Sequence, residues 1–202
     1  MKSLRADGRY CKSIQLNGNA KLKNCIDEYG IWLKYMQFNV LALKDCPYSS
    51  AGCRSVCYAT KGHHVFPNVI ESRQRAHDWS MREDFADCVI YTITTEMKNS
   101  RKFKNARVIF RIHESGDFYN IKYLRKWLKI WEHFMDDEQI IFTFYTKSFI
   151  FFLQLTEEEK NTLRQLQSKG RVSVNLSLDD TTDLKQKSRA LELIAQFPKS
   201  NI

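Results

Sequence analysis

The sequence is short of glycine and proline, with 7 and 3 respectively among 202 residues. With 43% apolar and 13% aromatic residues, that scarcity excludes collagen-like, low-complexity and disordered chains, which overuse glycine, proline or charge. Long hydrophobic runs are missing as well. The most apolar stretch, 140–155, is broken by Tyr145-Thr146-Lys147-Ser148, and is too short and too polar at its centre to span a bilayer. The stretch from Met1 to Ser13 lacks the apolar core of a secretion signal. Neither an internal repeat nor a linker is visible. These absences lead us to expect one domain over 1–202, in the cytoplasm, without a membrane partner. A chain of this length buries roughly 70% of the surface its unfolded form exposes, so it needs no disulfide framework. Six cysteines in a reducing compartment then point to metal ligands, catalytic thiols or core positions.

Acidic residues are outnumbered. Thirty-two Lys and Arg face 23 Asp and Glu, a formal charge of +9. Lys98, Arg101, Lys102, Lys104 and Arg107 form a run without an acid, and Lys122, Arg125, Lys126 and Lys129 cover one helix face. Basic stripes near aromatics are footprints for phosphate, which makes nucleic acid a candidate partner, although such stripes are more often solvated faces.

Residues 1–30 read as an N-terminal extension poor in periodicity, with a turn at Asn17-Gly18-Asn19. Residues 30–43 read as extended, ending in a buried strand at 38–43, and a cysteine loop occupies 44–67. Pro67 opens a long helix running to about Lys98, whose second half presents Phe85, Cys88, Val89, Thr92 and Ile93 on one face. Strands are expected at 108–112, 140–144 and 172–177. Helices are expected over 119–135, from the capping box Thr156–Glu159 to Lys169-Gly170, and from Thr182-Asp183 to about Phe197. This alternation predicts an α/β fold in which helices cover a parallel sheet. Four strand–helix units are half of an eightfold barrel, so we expect a partial or distorted (β/α) TIM-like barrel, with function gathered at the carboxyl ends of its strands.

Cys46, Cys53 and Cys57 follow the first buried strand with spacing C-x6-C-x3-C. A polar loop of that length gains order when thiolates converge on an ion. Zinc wants a fourth protein ligand, for which Cys25, His63 and His64 are the candidates, and no second close cysteine pair exists. Three cysteines without an obvious fourth suit a [4Fe-4S] cluster with one iron left open. Cys88 belongs on an apolar helix face and reads as core, while Cys11 has no motif around it.

Several blocks in order resemble the phage gene product 88 family: Gly18-Asn19-Ala20-Lys21-Leu22, Cys46-Pro47 through Cys57-Tyr58-Ala59, Lys61-Gly62, Arg111 through Tyr119, and Phe144 through Ser148. That resemblance covers about residues 17–150 and implies a phage protein acting in the host cytoplasm. The block from Cys46 to Ala59 is also similar to a loop of phage proteins related to radical S-adenosylmethionine (SAM) enzymes, although its cysteines are more widely spaced than usual there. In that superfamily three cysteines after the first barrel strand hold a [4Fe-4S] cluster, and SAM fills the open iron.

By the same likeness Ser115, Gly116 and Asp117, past the second clear strand, stand where a small residue admits close backbone approach and a carboxylate pairs with the SAM ammonium. The plainer reading makes Asp117 the cap of the following helix. Strand alternation sets Arg111 and His113 on one face, and a buried arginine needs a carboxylate or a polar cavity. Arg111, His113 and Asp117 are therefore the catalytic candidates. Lys147 offers a cation to an anionic ligand, and Asn175 and Ser177 are polar where a buried strand wants Val or Ile. Two functions are expected from these residues. The first is a radical SAM-like [4Fe-4S] protein. The second is a zinc-stabilised nucleic-acid-binding module without catalysis.

Overall fold

The computed structural model of the protein describes residues 25–99 and 106–201. Period-two burial organises its sheet. Strands β2 (Trp32–Phe38), β3 (Arg107–Ile112), β4 (Ile140–Thr146) and β5 (Val172–Leu176) lie side by side in chain order, all parallel. A two-residue strand, β1 (Cys25–Ile26), pairs antiparallel with β2 at the edge. One residue set, including Phe38, Phe110, Ile112, Phe142, Phe144 and Val174, is fully buried in a single core. The intervening residues Tyr35, Ile109, Arg111, Ile141, Thr143, Ser173 and Asn175 are half-buried and form the other face.

Helices fill the crossovers. After β2 come the short α1 (Ala51–Ser55), two 3-10 turns (58–60 and 62–65), α2 (Pro67–Met81) and α3 (Phe85–Asn99). After β3 comes α4 (Ile121–His133), after β4 come α5 (Phe149–Leu153) and α6 (Glu157–Ser168), and after β5 comes α7 (Leu184–Gln196). Parallel strands joined in sequence by right-handed crossovers put successive helices on one face. The core agrees, because helix residues Trp127, Trp131, Leu163, Leu166, Ala190 and Leu193 share one buried cluster with the first strand set. The fold is a mixed α/β domain with a five-stranded, mostly parallel sheet. Among the described residues no helix is long and apolar enough to cross a membrane.

Four expectations need correction. The first large strand is 32–38, not 38–43. Beyond Phe38 the chain leaves the ladder, because the Val40 N–H donates to Ser115 O and the Asp45 carboxylate closes a turn on the Leu41 N–H. The sheet is not wholly parallel, and its antiparallel edge falls within the supposed extension 1–30. The helix expected over 67–98 is two helices. Lys126 on α4 donates to the carbonyls of Ser80, Met81 and Arg82, and those bonds end α2. Asp117 does not cap α4; Asn120 does, its side chain accepting from the Tyr123 N–H. The capping box at Thr156 and Glu159 and the Asp183 cap of α7 form as expected. Cys88 is buried in the core.

Three of the four cations on the basic face of α4 make contacts within the chain. Arg125 pairs with Glu159, Lys129 with Asp87, and Lys126 caps α2. Of the other basic run, Arg101, Lys102 and Lys104 lie outside the described residues, as do Cys11, Asn19 and Lys21.

Candidate functional site

The loops past β2, β3, β4 and β5 meet at one rim and are tied in a circuit. Between the loops after β2 and β3, Glu114 N–H donates to Asn39 Oδ1, Ser115 Oγ donates to Val40 O, and Asp117 N–H donates to Asp45 O. Gly116 sits at φ 84°, and a Cβ there would collide with Val40 Cγ2, so this close approach requires glycine.

Asp117 joins β3 to β4. One carboxylate oxygen accepts from Phe118 N–H (2.7 Å) and Thr146 Oγ1 (2.7 Å), the other from Lys147 N–H (2.8 Å). Burial pushes its carboxyl up to about 6, although these donors favour the charged form. Lys147 joins β4 to β5, its Nζ donating to Ser177 O and pairing with Asp179 at 2.9 Å. Asp179 closes the circuit onto the cysteine loop. It accepts from Ser50, the N-cap of α1, and it orients Thr181, whose hydroxyl accepts from Gly52 N–H at 2.7 Å. Those hydrogen bonds hold the Asp179 carboxyl well below the usual range.

Inside the circuit lies a cavity of about 360 Å³, lined among others by Cys46, Cys53, Tyr58, Arg111, His113 and Lys147. The Cys46 thiol is pushed up to about 12, first by burial and then by the charge of Asp117, with Cys53 and Cys57 adding to it. Cys53 is raised by burial, against the lowering pull of Lys147 and with a contribution from Cys57. The three thiols are thus near enough to feel one another's charge. Among the described residues, however, no three His, Cys, Asp or Glu side chains are arranged to grip a single metal ion.

Of the candidate fourth ligands, Cys25 stands away from the rim, while the two histidines lie beside Tyr58. Cys25 pairs with Leu33, five residues before the carboxyl end of β2, which places it about 17 Å along the strand from the rim. His64 turns Nδ1 to Arg73 at 2.6 Å, and His63 stacks on His64.

His113 breaks strand alternation, with φ of 62°, a conformation costly for a residue carrying Cβ and found most often at functional sites. Its Nε2 lies 2.9 Å from the Tyr123 hydroxyl, and burial pushes the imidazole down to about 3, so it is neutral. Arg111, His113, Gly116, Asp117, Lys147 and Ser177 therefore come together with Cys46 and Cys53, while Ser115 turns to Val40 O behind the cavity wall. Asn175 is not in this group. Its amide donates to Phe144 O and its carbonyl accepts from Asn201, so it serves the sheet and the chain's end.

Sequence reasoning passed over several residues of the site. Tyr58 directly follows Cys57, and its hydroxyl donates to Glu114 O. Buried Arg73 reaches from α2 to Ala59 O and His64, bracing the loop behind Cys57. Asp179 and Thr181 carried the same signal as the other rim residues, polar groups directly past a strand end.

These features define a mostly parallel α/β protein whose strand-end loops surround a cavity lined in part by Cys46 and Cys53. The sequence pattern of the family described as Gene product 88 matches residues 9–195, and the chain belongs to that family. It is similar to the Gene 88 proteins of Mycobacterium phages D29 and L5, with 28% and 27% identity over 169 and 172 residues. Each match covers 76% of this chain and 65% of the relative, so the chain spans less than two thirds of those proteins. No solved structure matches it.

Proposed function

We propose that this chain is an iron-sulfur protein, radical SAM-like in organisation, that holds a [4Fe-4S] cluster through Cys46, Cys53 and Cys57 on a half-barrel of parallel strands. The observation that carries the reading is that Cys46 and Cys53 line one cavity of about 360 Å³ at the strand-end rim, with Cys57 near enough to influence both thiols. Cys25, well along β2 from the rim, is not a fourth ligand in this reading. Bound there, the cluster would supply electron transfer or an open iron for SAM or another small ligand.

The chain's own residues have definable parts. Cys46, buried and costly to ionise alone, favours a cationic partner for its thiolate. Asp117 locks the β3 and β4 loops, so the proposed ammonium contact must share oxygens that already accept hydrogen bonds. Lys147 brings positive charge beside Cys53.

Electron paramagnetic resonance of the anaerobically reconstituted, reduced protein, with and without SAM, tests the open iron. A change of the cluster signal on adding SAM is expected, weakened in Asp117→Ala without loss of iron. An identical signal with and without SAM removes SAM from the proposal.

A further inference from the structure

The sheet face turned away from the core carries polar groups that the fold leaves unpaired. Among the described residues, Arg111 Nε and both amide atoms of Gln37 on this face, and His113 Nδ1 just past its end, are buried without a hydrogen-bond partner. Gln37 is 2% exposed and His113 4%. The register sets Gln37 directly beside Arg111, and both precede the rim, where Arg111 and His113 line the cavity. A buried orphan of this kind is costly, and a fold can retain it where a ligand completes the bonds.

The charges decide which ligand. Lys147 is neutralised by Asp179, and both Asp117 oxygens are occupied. Arg111 makes no ion pair with a carboxylate among the described residues, although Glu114 also lines the cavity, and its Nε–H is the buried donor left open on the wall. A guanidinium beside an amide donor matches the planar, multi-acceptor geometry of a carboxylate or phosphate. The cavity's volume is that of a small-molecule site.

We infer that the cavity binds a small ligand through its anionic group, a carboxylate or phosphate, held by Arg111 of the cavity wall and supported by the Gln37 amide beside it on β2. The inference concerns the cavity of the proposed cluster but stands on these unpaired groups, so it can be tested without iron. The full chain carrying Cys46→Ser, Cys53→Ser and Cys57→Ser, labelled with nitrogen-15, is titrated with inorganic phosphate and, separately, with acetate. Saturable shifts of the Arg111 Nε–H and Gln37 side-chain signals are expected with at least one, and which anion binds more tightly identifies the group. Arg111→Gln should weaken that binding about tenfold or more, as loss of a charge-assisted hydrogen bond does. Gln37→Leu should also weaken it while raising the melting temperature of the free protein, because it removes orphaned polar atoms of similar shape. No saturable shift with either anion, unchanged affinity in Arg111→Gln, or a lower melting temperature in Gln37→Leu overturns the inference. Failure of the native protein to take up iron leaves this result untouched and counts only against the cluster.

Discussion

At the scale of single residues, the rim is held by positions that tolerate few alternatives. Gly116 has both a left-handed backbone and the Val40 side chain against its Cα. Gly116→Ala should cost about 2 to 4 kcal/mol, from left-handed strain plus overpacking, read as a lowered urea midpoint. His113 and Asp117 give the stability an unusual pH dependence. Unfolded histidine binds a proton near 6.5 and folded His113 near 3, so below 6.5 the unfolded state holds more protons. Stability then falls with acid by up to about 1.4 kcal/mol per pH unit. Asp117 works in the opposite direction: its folded carboxyl titrates near 6 against 3.8 unfolded, so acid restores stability between those values. The two nearly cancel in the wild type from pH 6 to 3.8. His113→Asn, which tolerates the positive φ, removes one side and should become more stable relative to wild type as the pH drops through that window. Urea midpoints of both proteins against pH check the sign. Arg111 was legible in the sequence because a charge on a buried strand needs a polar surrounding, and Asp117 because it follows that strand end. The left-handed φ of His113 was not, because it arises from the pairing of two loops distant in sequence.

At the scale of elements, the strands and α4, α6 and α7 were readable because periodicity and caps are local signals. The break between α2 and α3 was not, since a lysine on α4 makes it. The same holds for the start of the cysteine loop, set by the pairing of Val40 with Ser115. The cysteine loop itself is anchored from the far edge of the sheet, through Asp179 and Thr181. Asp179→Ala should therefore speed hydrogen exchange at the Gly52 and Cys53 amides while the amides of β3 and β4 keep their protection. Equal exchange in both proteins would mean that α1 holds its place without this anchor.

At the scale of the whole molecule, the +9 charge suggested phosphate-bearing partners, yet three of the four α4 cations are committed to contacts within the chain. Net charge is a property of composition, and only the fold reveals which cations remain available. What the topology does supply is a rim: four parallel strands in chain order bring loops separated by more than a hundred residues around one cavity. The cysteine spacing pointed to that rim, and Cys46, Cys53, Arg111, His113 and Asp117 meet there. The central claim, that these thiols hold a cluster, is tested most directly by iron and acid-labile sulfide analysis of the anaerobically reconstituted chain. The account predicts about four iron and about four sulfide per chain, lost in Cys53→Ala and kept in Cys88→Ala. One zinc with no sulfide, or full iron content in Cys53→Ala, would contradict it.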